Sequence, residues 1–188
     1  MYAGAGKQGA EDAWYQTMLD LEFLQLDGTP YCGGTADIMK FFDQILMPLV
    51  YELLRVAGMP ASILSTYRRF QEGLKVHNSL AGSIGHPYVR KCSIPQGCPL
   101  SMLFMAALMR PWILMSKARG CFPRILADDI LLIAKGKGAI RMFAAVLNLS
   151  HQYLIDMGAK IAHGKSRFHQ ESTHVACRNR LAPCWGRH

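Results

Sequence analysis

An α+β fold, with a small antiparallel sheet covered by helices on one face, is what this sequence predicts. Three observations carry the prediction. Segments of helical and strand periodicity alternate along the chain. Residues 122–134 form two apolar arms that meet at adjacent aspartates, Asp128 and Asp129, the pattern of a hairpin. Residues 99–116 and 139–157 supply two long apolar or amphipathic helices that can cover one side of such a sheet.

The elements follow in order. Trp14, Met18, Leu21 and Leu24 recur at helical spacing and predict a helix over 11–26, broken by Asp27-Gly28-Thr29-Pro30. A short strand then leads to Asp37. Over 41–57, Phe42, Ile45, Leu46, Leu49, Val50, Leu53 and Leu54 keep helical spacing, with Gly58 at the end. Pro48 inside that stretch requires either a kink or a helix that begins there. Pro60 opens a second helix over 62–73. Residues 76–91 read as extended, with a turn at 82–85 between two strand-like arms. The helix over 99–116 is apolar enough to be buried. The helix over 139–157 is amphipathic and ends at Gly158. Residues 161–163 and 173–177 are weaker strand candidates.

At 188 residues with 51% hydrophobic content, the chain can bury the core of one domain. Lys and Arg number 21 against 13 Asp and Glu, a formal charge of +8. That excess suits a polyanion, nucleic acid first and an acidic membrane surface second, although many basic proteins bind neither in particular. Residues 1–16 lack the apolar core of a signal peptide. The longest apolar run, 102–109, is closed by Arg110 and Pro111 and falls far short of a membrane span. Six cysteines show no disulfide-scaffold spacing. The expectation is an intracellular, reduced protein with no membrane partner.

Three segments concentrate polar chemistry. The carboxylates of Asp128 and Asp129 sit between apolar runs, where charge is costly unless paired or metal-bound. A divalent cation would hold both ionised; a solvated Asp-Asp turn is the plain alternative. Asp37 ends a strand as a helix begins, a place for a ligand group or for an ordinary helix N-cap. In Ser93-Ile94-Pro95-Gln96-Gly97-Cys98-Pro99-Leu100-Ser101, two prolines and a glycine fix the backbone ahead of an apolar helix. Gln96 offers both a donor and an acceptor there. A helix-entry turn without a ligand would look the same.

Taken in this order, the three segments resemble motifs A, B and C of reverse transcriptases. Ile94-Pro95-Gln96-Gly97-Cys98-Pro99-Leu100-Ser101 is similar to the family's G-I-P-Q-G-S-P-L-S, with Ser93 in place of the usual glycine and Cys98 in place of serine. Leu126-Ala127-Asp128-Asp129 is similar to aromatic-x-D-D, with Leu126 at the aromatic position. Asp37-Ile38-Met39-Lys40-Phe41-Phe42-Asp43 is similar to the D-x-x-K-A-F-D of non-LTR (LINE-type) and group II intron enzymes, with Phe41 for alanine. A fourth segment, 158–166, resembles motif D. The resemblance spans roughly residues 31–168.

The resemblance implies a polymerase palm that transfers nucleotides with two metal ions, Mg²⁺ or alternatively Mn²⁺, between an RNA template, a DNA primer and dNTPs. By position it implies that Asp37, Asp128 and Asp129, with the Ile38 carbonyl, hold the metals. Phe42 would exclude a ribose 2′-hydroxyl, and core packing of its helix is the other reading. Gln96 and Gly97 would lie under the incoming nucleotide. Lys165 would be a general acid for pyrophosphate departure, or else a solvated loop lysine. Arg68, Arg69, Lys75, Arg90 and Lys91 would contact template or primer phosphates, or form a solvated face.

The expected organisation is a remnant of fingers or linker over 1–30, the palm over 31–168 and a truncated tail over 169–188. Fingers and thumb segments, or a partner chain, would then complete it. His169, His174, Cys177 and Cys184 in the tail match no strong zinc pattern, and a frayed tail is expected. Two other functions compete: a non-catalytic, maturase-like nucleic-acid-binding remnant, and an RNA-dependent RNA polymerase. The Pro-Gln-Gly block and Phe42 count against the latter.

Overall fold

The structure, a computed structural model, describes residues 9–90, 92–95, 97–126, 128–161 and 167–171. Helix α1 (Ala10–Leu26) opens it. The Asp12 carboxylate accepts from the Gly9 amide at 2.7 Å, and Glu11 and Asp12 place negative charge in its first turn. Gly28, at φ +61, ends the helix, and the Thr29 amide reaches back to the Leu24 carbonyl at 2.9 Å. Strand β1 (Tyr31–Met39) follows and runs two residues past Asp37, because Ile38 and Met39 still pair with a further strand. Asp37 therefore lies within the strand rather than at its end, and Lys40, not Asp37, caps the next helix.

The expected helix over 41–57 divides in two. Helix α2 (Phe41–Gln44) is a single turn, Ile45 and Leu46 are extended, and α3 (Met47–Val56) starts with Pro48 in its first turn. Of the two readings Pro48 left open, a new helix start is the one observed, because its missing N–H costs nothing there. Helix α4 (Ala61–Gly73) begins after Pro60.

The extended region 76–91 is an arm of two short ladders. β2 (Lys75–Val76) pairs with β5 (Tyr88–Val89), and β3 (Ser79–Leu80) pairs with β4 (Ser83–Ile84). The turn therefore falls at Ala81-Gly82, both at positive φ, rather than at 82–85. Ser83 and Ile84 belong to the strand, and Gly85 donates to the Asn78 carbonyl at 2.8 Å.

Helix α5 (Ser101–Ala118) leads into the hairpin of β6 (Cys121–Leu126) and β7 (Asp129–Lys135). Helix α6 (Ala139–Asp156), β8 (Lys160–Ile161) and β9 (Arg167–Glu171) complete the described chain. The strand candidate at 161–163 is met by β8; its remaining residues and the candidate at 173–177 lie outside the described residues.

The principal sheet is antiparallel, in the order β6-β7-β1, with β8 and β9 both on the far edge of β1. Alternation along the strands sorts its two faces. Cys32, Ala36 and Ile38 of β1 and Ile130, Leu132 and Ala134 of β7 join one core with Phe104, Leu108 and Trp112 of α5 and Phe143, Val146 and Leu154 of α6. Trp112 is fully buried, and its indole N–H donates to Ser150 Oγ at 2.7 Å, tying α5 to α6. Each such aromatic contributes roughly 1.5–3 kcal/mol by leaving water. Helices therefore cover one face, as expected. On the opposite face α1 adds a smaller contact, where Leu21 and Leu24 meet Tyr31, Leu131 and Ile133.

Candidate active site

β1 and β7 pair in register from Tyr31↔Lys135 to Asp37↔Asp129. The ladder thus ends on two opposed aspartates. Directly opposed residues in an antiparallel pair project to the same face, with Cα atoms about 4.5–5.5 Å apart. This is the face away from α5 and α6. Asp128 occupies the turn before β7, and its carbonyl accepts from the Ile38 amide at 3.0 Å. Residues 37, 38, 128 and 129 are consequently brought together at one end of the sheet. Asp37 and Asp128 are half-buried and Asp129 is exposed.

This donor set suits a hard cation. Carboxylate oxygens match Mg²⁺, and a facing acidic pair is the arrangement whose repulsion a cation reverses. Among the described residues, no three His, Cys, Asp or Glu side chains come together as a group that could hold a metal ion. Asp37, Asp128 and Asp129 therefore do not form a three-carboxylate site here, and the register opposes only Asp37 and Asp129. That is compatible with Mg²⁺, which usually takes one or two carboxylates and fills its shell with water and substrate phosphate. His169 lies in β9, whereas His174, Cys177 and Cys184 lie outside the described residues.

The Pro-Gln-Gly segment is stitched to the same region by backbone bonds. The Ser93 amide donates to the Ile45 carbonyl at 3.0 Å, and the Ile94 amide to the Phe42 carbonyl at 2.8 Å. The Cys98 amide donates to the Pro95 carbonyl at 3.1 Å, closing a turn in which Gly97 has φ +81. A positive φ at this third position is what a type II turn requires, and glycine meets it without strain. Ser93 is strained: it holds φ +94 while almost completely buried. Its hydroxyl accepts from Arg90 Nη1 at 2.9 Å. Phe42 is half-buried, packed against the core and edge-on to the Phe41 ring at 5.8 Å.

The cationic residues separate into distinct settings. Arg68 pairs with Glu72 at 2.7 Å within α4 and lies 6.0 Å from the centre of the Tyr51 ring. Arg69 is exposed on the same helix, and Lys75 and Arg90 are exposed on the arm. No acidic residue occurs between Glu72 and Asp128, so the arm and the turn share a stretch of unopposed positive sequence. Lys91, Gln96 and Lys165 lie outside the described residues.

Two features escape sequence reasoning. Arg124 of β6 donates to Thr17 Oγ1 at 2.6 Å and forms an ion pair with Asp20, fastening α1 over the open face. Between α1 and that face lies a cavity of about 650 Å³, lined by Trp14, Met18, Leu131 and Asp129 among others. The second feature is a contact between Tyr67 of α4 and Cys98, 3.2 Å from hydroxyl to sulfur. Burial first, and then the hydrogen bond to Cys98, push the Tyr67 phenol well above its ordinary pKa. Neither contact leaves a periodic signal, since each joins residues distant in the chain.

Comparison with known proteins places these features in a family. Residues 9–176 match the family described as reverse transcriptase (RNA-dependent DNA polymerase). Among curated proteins, none matches the sequence. Solved structures share the fold. Apo telomerase from Candida tropicalis, truncated from its C-terminal domain, superposes with a TM-score of 0.67 at 14% identity, over 89% of this chain and 36% of that one. Telomerase from Candida tropicalis in complex with a TWJ fragment of telomeric RNA gives 0.65 at 14% identity, over 87% and 29%. The corresponding Candida albicans complex gives 0.63 at 16% identity, over 88% and 32%. The chain spans about a third of the length of these telomerase chains. No helix among the described residues is long and apolar enough to cross a membrane.

Proposed function

We infer the function of this chain from its kinship: it belongs to the reverse transcriptase (RNA-dependent DNA polymerase) family. Within that family we read residues 31–168 as the palm of a retroelement enzyme of the non-LTR or group II intron type, on the resemblance of 37–43 to those enzymes' motif A. Its reaction is RNA-directed extension of a DNA primer with dNTPs. The observation that carries this reading is the Asp37↔Asp129 pairing at the sheet end, with Asp128 bonded to Ile38 beside it.

In the reaction, the primer 3′-hydroxyl forms a bond to the α-phosphorus of the dNTP as the bond to pyrophosphate breaks. Asp37, Asp128 and Asp129, with the Ile38 carbonyl, would hold two divalent ions, Mg²⁺ by preference. When bound, these supply activation of the hydroxyl and neutralisation of the triphosphate. Phe42, in the single-turn helix α2 that follows β1, would crowd a ribose 2′-hydroxyl and favour dNTPs. Gln96 and Gly97 bound the nucleotide, the glycine leaving room for close approach. Lys165 would donate a proton to the departing pyrophosphate. Lys75, Arg90 and Lys91 provide phosphate contacts, together with Arg69 and, on release from Glu72, Arg68. The RNA complexes of the Candida telomerases are consistent with an RNA partner for this fold.

Primer extension tests the reading. With poly(rA)–oligo(dT), Mg²⁺ and dTTP, the chain is expected to extend the primer, and an Asp128→Ala/Asp129→Ala variant is expected not to. Retained RNA binding with no extension by either protein would favour the non-catalytic remnant.

A further inference from the structure

We propose that Tyr67 is a positioning residue for the nucleotide-binding turn: its hydroxyl clamps Cys98 and thereby sets the affinity for the incoming dNTP. The proposal rests on the reading of Gln96 and Gly97 as nucleotide contacts.

Helix α4 has no fully buried residue, yet Tyr67 turns inward from it. The Tyr67 ring stands edge-on to Phe104 of α5, with centroids 4.8 Å apart and planes at 75°. Its hydroxyl has two partners. Gln71 Nε2 donates to it at 2.7 Å, and Cys98 Sγ lies 3.2 Å away. An amide nitrogen can only donate, so the oxygen is the acceptor toward Gln71 and its own proton is free to point at sulfur. The phenol is thus fixed in position by Phe104, in rotation by Gln71 and in hydrogen bonding by Cys98.

Cys98 is well placed to transmit that constraint. Its amide closes the turn onto Pro95, and its carbonyl accepts from the Ser101 amide at 3.1 Å as α5 begins. One residue therefore joins the Pro95–Cys98 turn, the start of α5 and, through sulfur, α4. On the other side the same segment is tied to Ile45 and Phe42 by the Ser93 and Ile94 amides. The turn is held from two directions, and Tyr67 is the side-chain half of that support. Removing it loosens a binding surface without touching the carboxylates, so the effect belongs in nucleotide affinity rather than turnover.

The experiment is a double-mutant cycle on the full chain: wild type, Tyr67→Phe, Cys98→Ala and the double variant, with Cys98→Ser as the conservative control. Two readouts are needed. Steady-state dTTP incorporation gives KM and kcat, and iodoacetamide labelling followed by mass spectrometry gives the alkylation rate of the Cys98 thiol. Tyr67→Phe is expected to raise KM by about three- to tenfold, the range a single hydrogen bond allows, with kcat within about twofold. It is also expected to speed Cys98 alkylation several-fold. Cys98→Ala should match Tyr67→Phe, the double variant should be no worse than either, and Cys98→Ser should keep a KM near wild type. Alkylation unchanged by Tyr67→Phe, or additive effects on KM, overturns the clamp. Alkylation that responds in a protein that never extends a primer overturns the functional reading, and with it the nucleotide half of this proposal.

Discussion

The β1–β7 ladder and the 75–90 arm are both antiparallel pairings, yet they are built to opposite specifications. The ladder joins seven residue pairs and backs them with α5 and α6. The arm joins two pairs in each of two ladders, and its residues 77–90 are all exposed. The carboxylates sit on the first and the cations Lys75 and Arg90 on the second. Groups that must meet a small ion in fixed geometry need a supporting core. Groups that follow a flexible polyanion need only charge and reach. On the proposed reading, the sheet end combines a supported core with the carboxylates, and the arm carries its cations on an exposed surface.

The largest expected difference between the two regions is in stability. Trp112→Ala removes a fully buried indole and its bond to Ser150, and should cost about 3–5 kcal/mol in a urea melt. Leu80→Ala at the arm, where the side chain is 82% exposed, should stay within about 0.5 kcal/mol. Similar losses at both positions would erase the contrast. A smaller effect of different kind is expected from Lys75→Ala and Arg90→Ala. Stability should hold within about 0.5 kcal/mol for Lys75→Ala and fall by about 1 kcal/mol for Arg90→Ala, which takes the partner from the buried Ser93 hydroxyl. RNA affinity should fall in both, the slope of log K against log salt easing by about one per residue. Unchanged slopes would remove the arm from the interface. A pH effect of a third kind is confined to the core side. Burial raises the Tyr153 phenol to about 12, so it stays neutral in the folded chain while unfolded tyrosine ionises near pH 10. Its contribution is complete below pH 10 and is lost as pH rises toward 12. Urea midpoints should therefore fall across that range, and fall less in Tyr153→Phe.

The same contrast governs what could be read from sequence. Where one face is buried, periodicity reports it: the hairpin at 122–134 and the amphipathic helix over 139–157 appear where expected, and the strand toward Asp37 is present but runs two residues past it, to Met39. Glycine also marked helix ends, at Gly28 and Gly158, whereas Pro48 left a kink and a helix start both open, and the structure has the helix start. Periodicity failed where it carries no register. Ile45 and Leu46 keep helical spacing yet are extended, because their carbonyl and neighbouring backbone are needed to receive Ser93 and start α3. The polar strand β9, Arg-Phe-His-Gln-Glu, pairs along the β1 edge through its backbone and shows no apolar alternation. Helix α1 was legible as a helix, but apolar residues surround it, so its docking on the open face was not. At the site, motif order placed Asp37, Asp128 and Asp129 in one hypothesis, and the Asp37↔Asp129 register is a contact no spacing rule supplies. Tyr67, 31 residues from Cys98, was invisible for the same reason.

The claim on which the rest depends is that the sheet end gathers carboxylates for a divalent ion. Mn²⁺ titration followed by electron paramagnetic resonance, with template–primer and dTTP present, tests it directly. Wild-type protein should bind Mn²⁺, and Asp37→Asn/Asp129→Asn should lose that binding while keeping the same urea midpoint. Equal Mn²⁺ uptake by the two proteins would contradict the assignment.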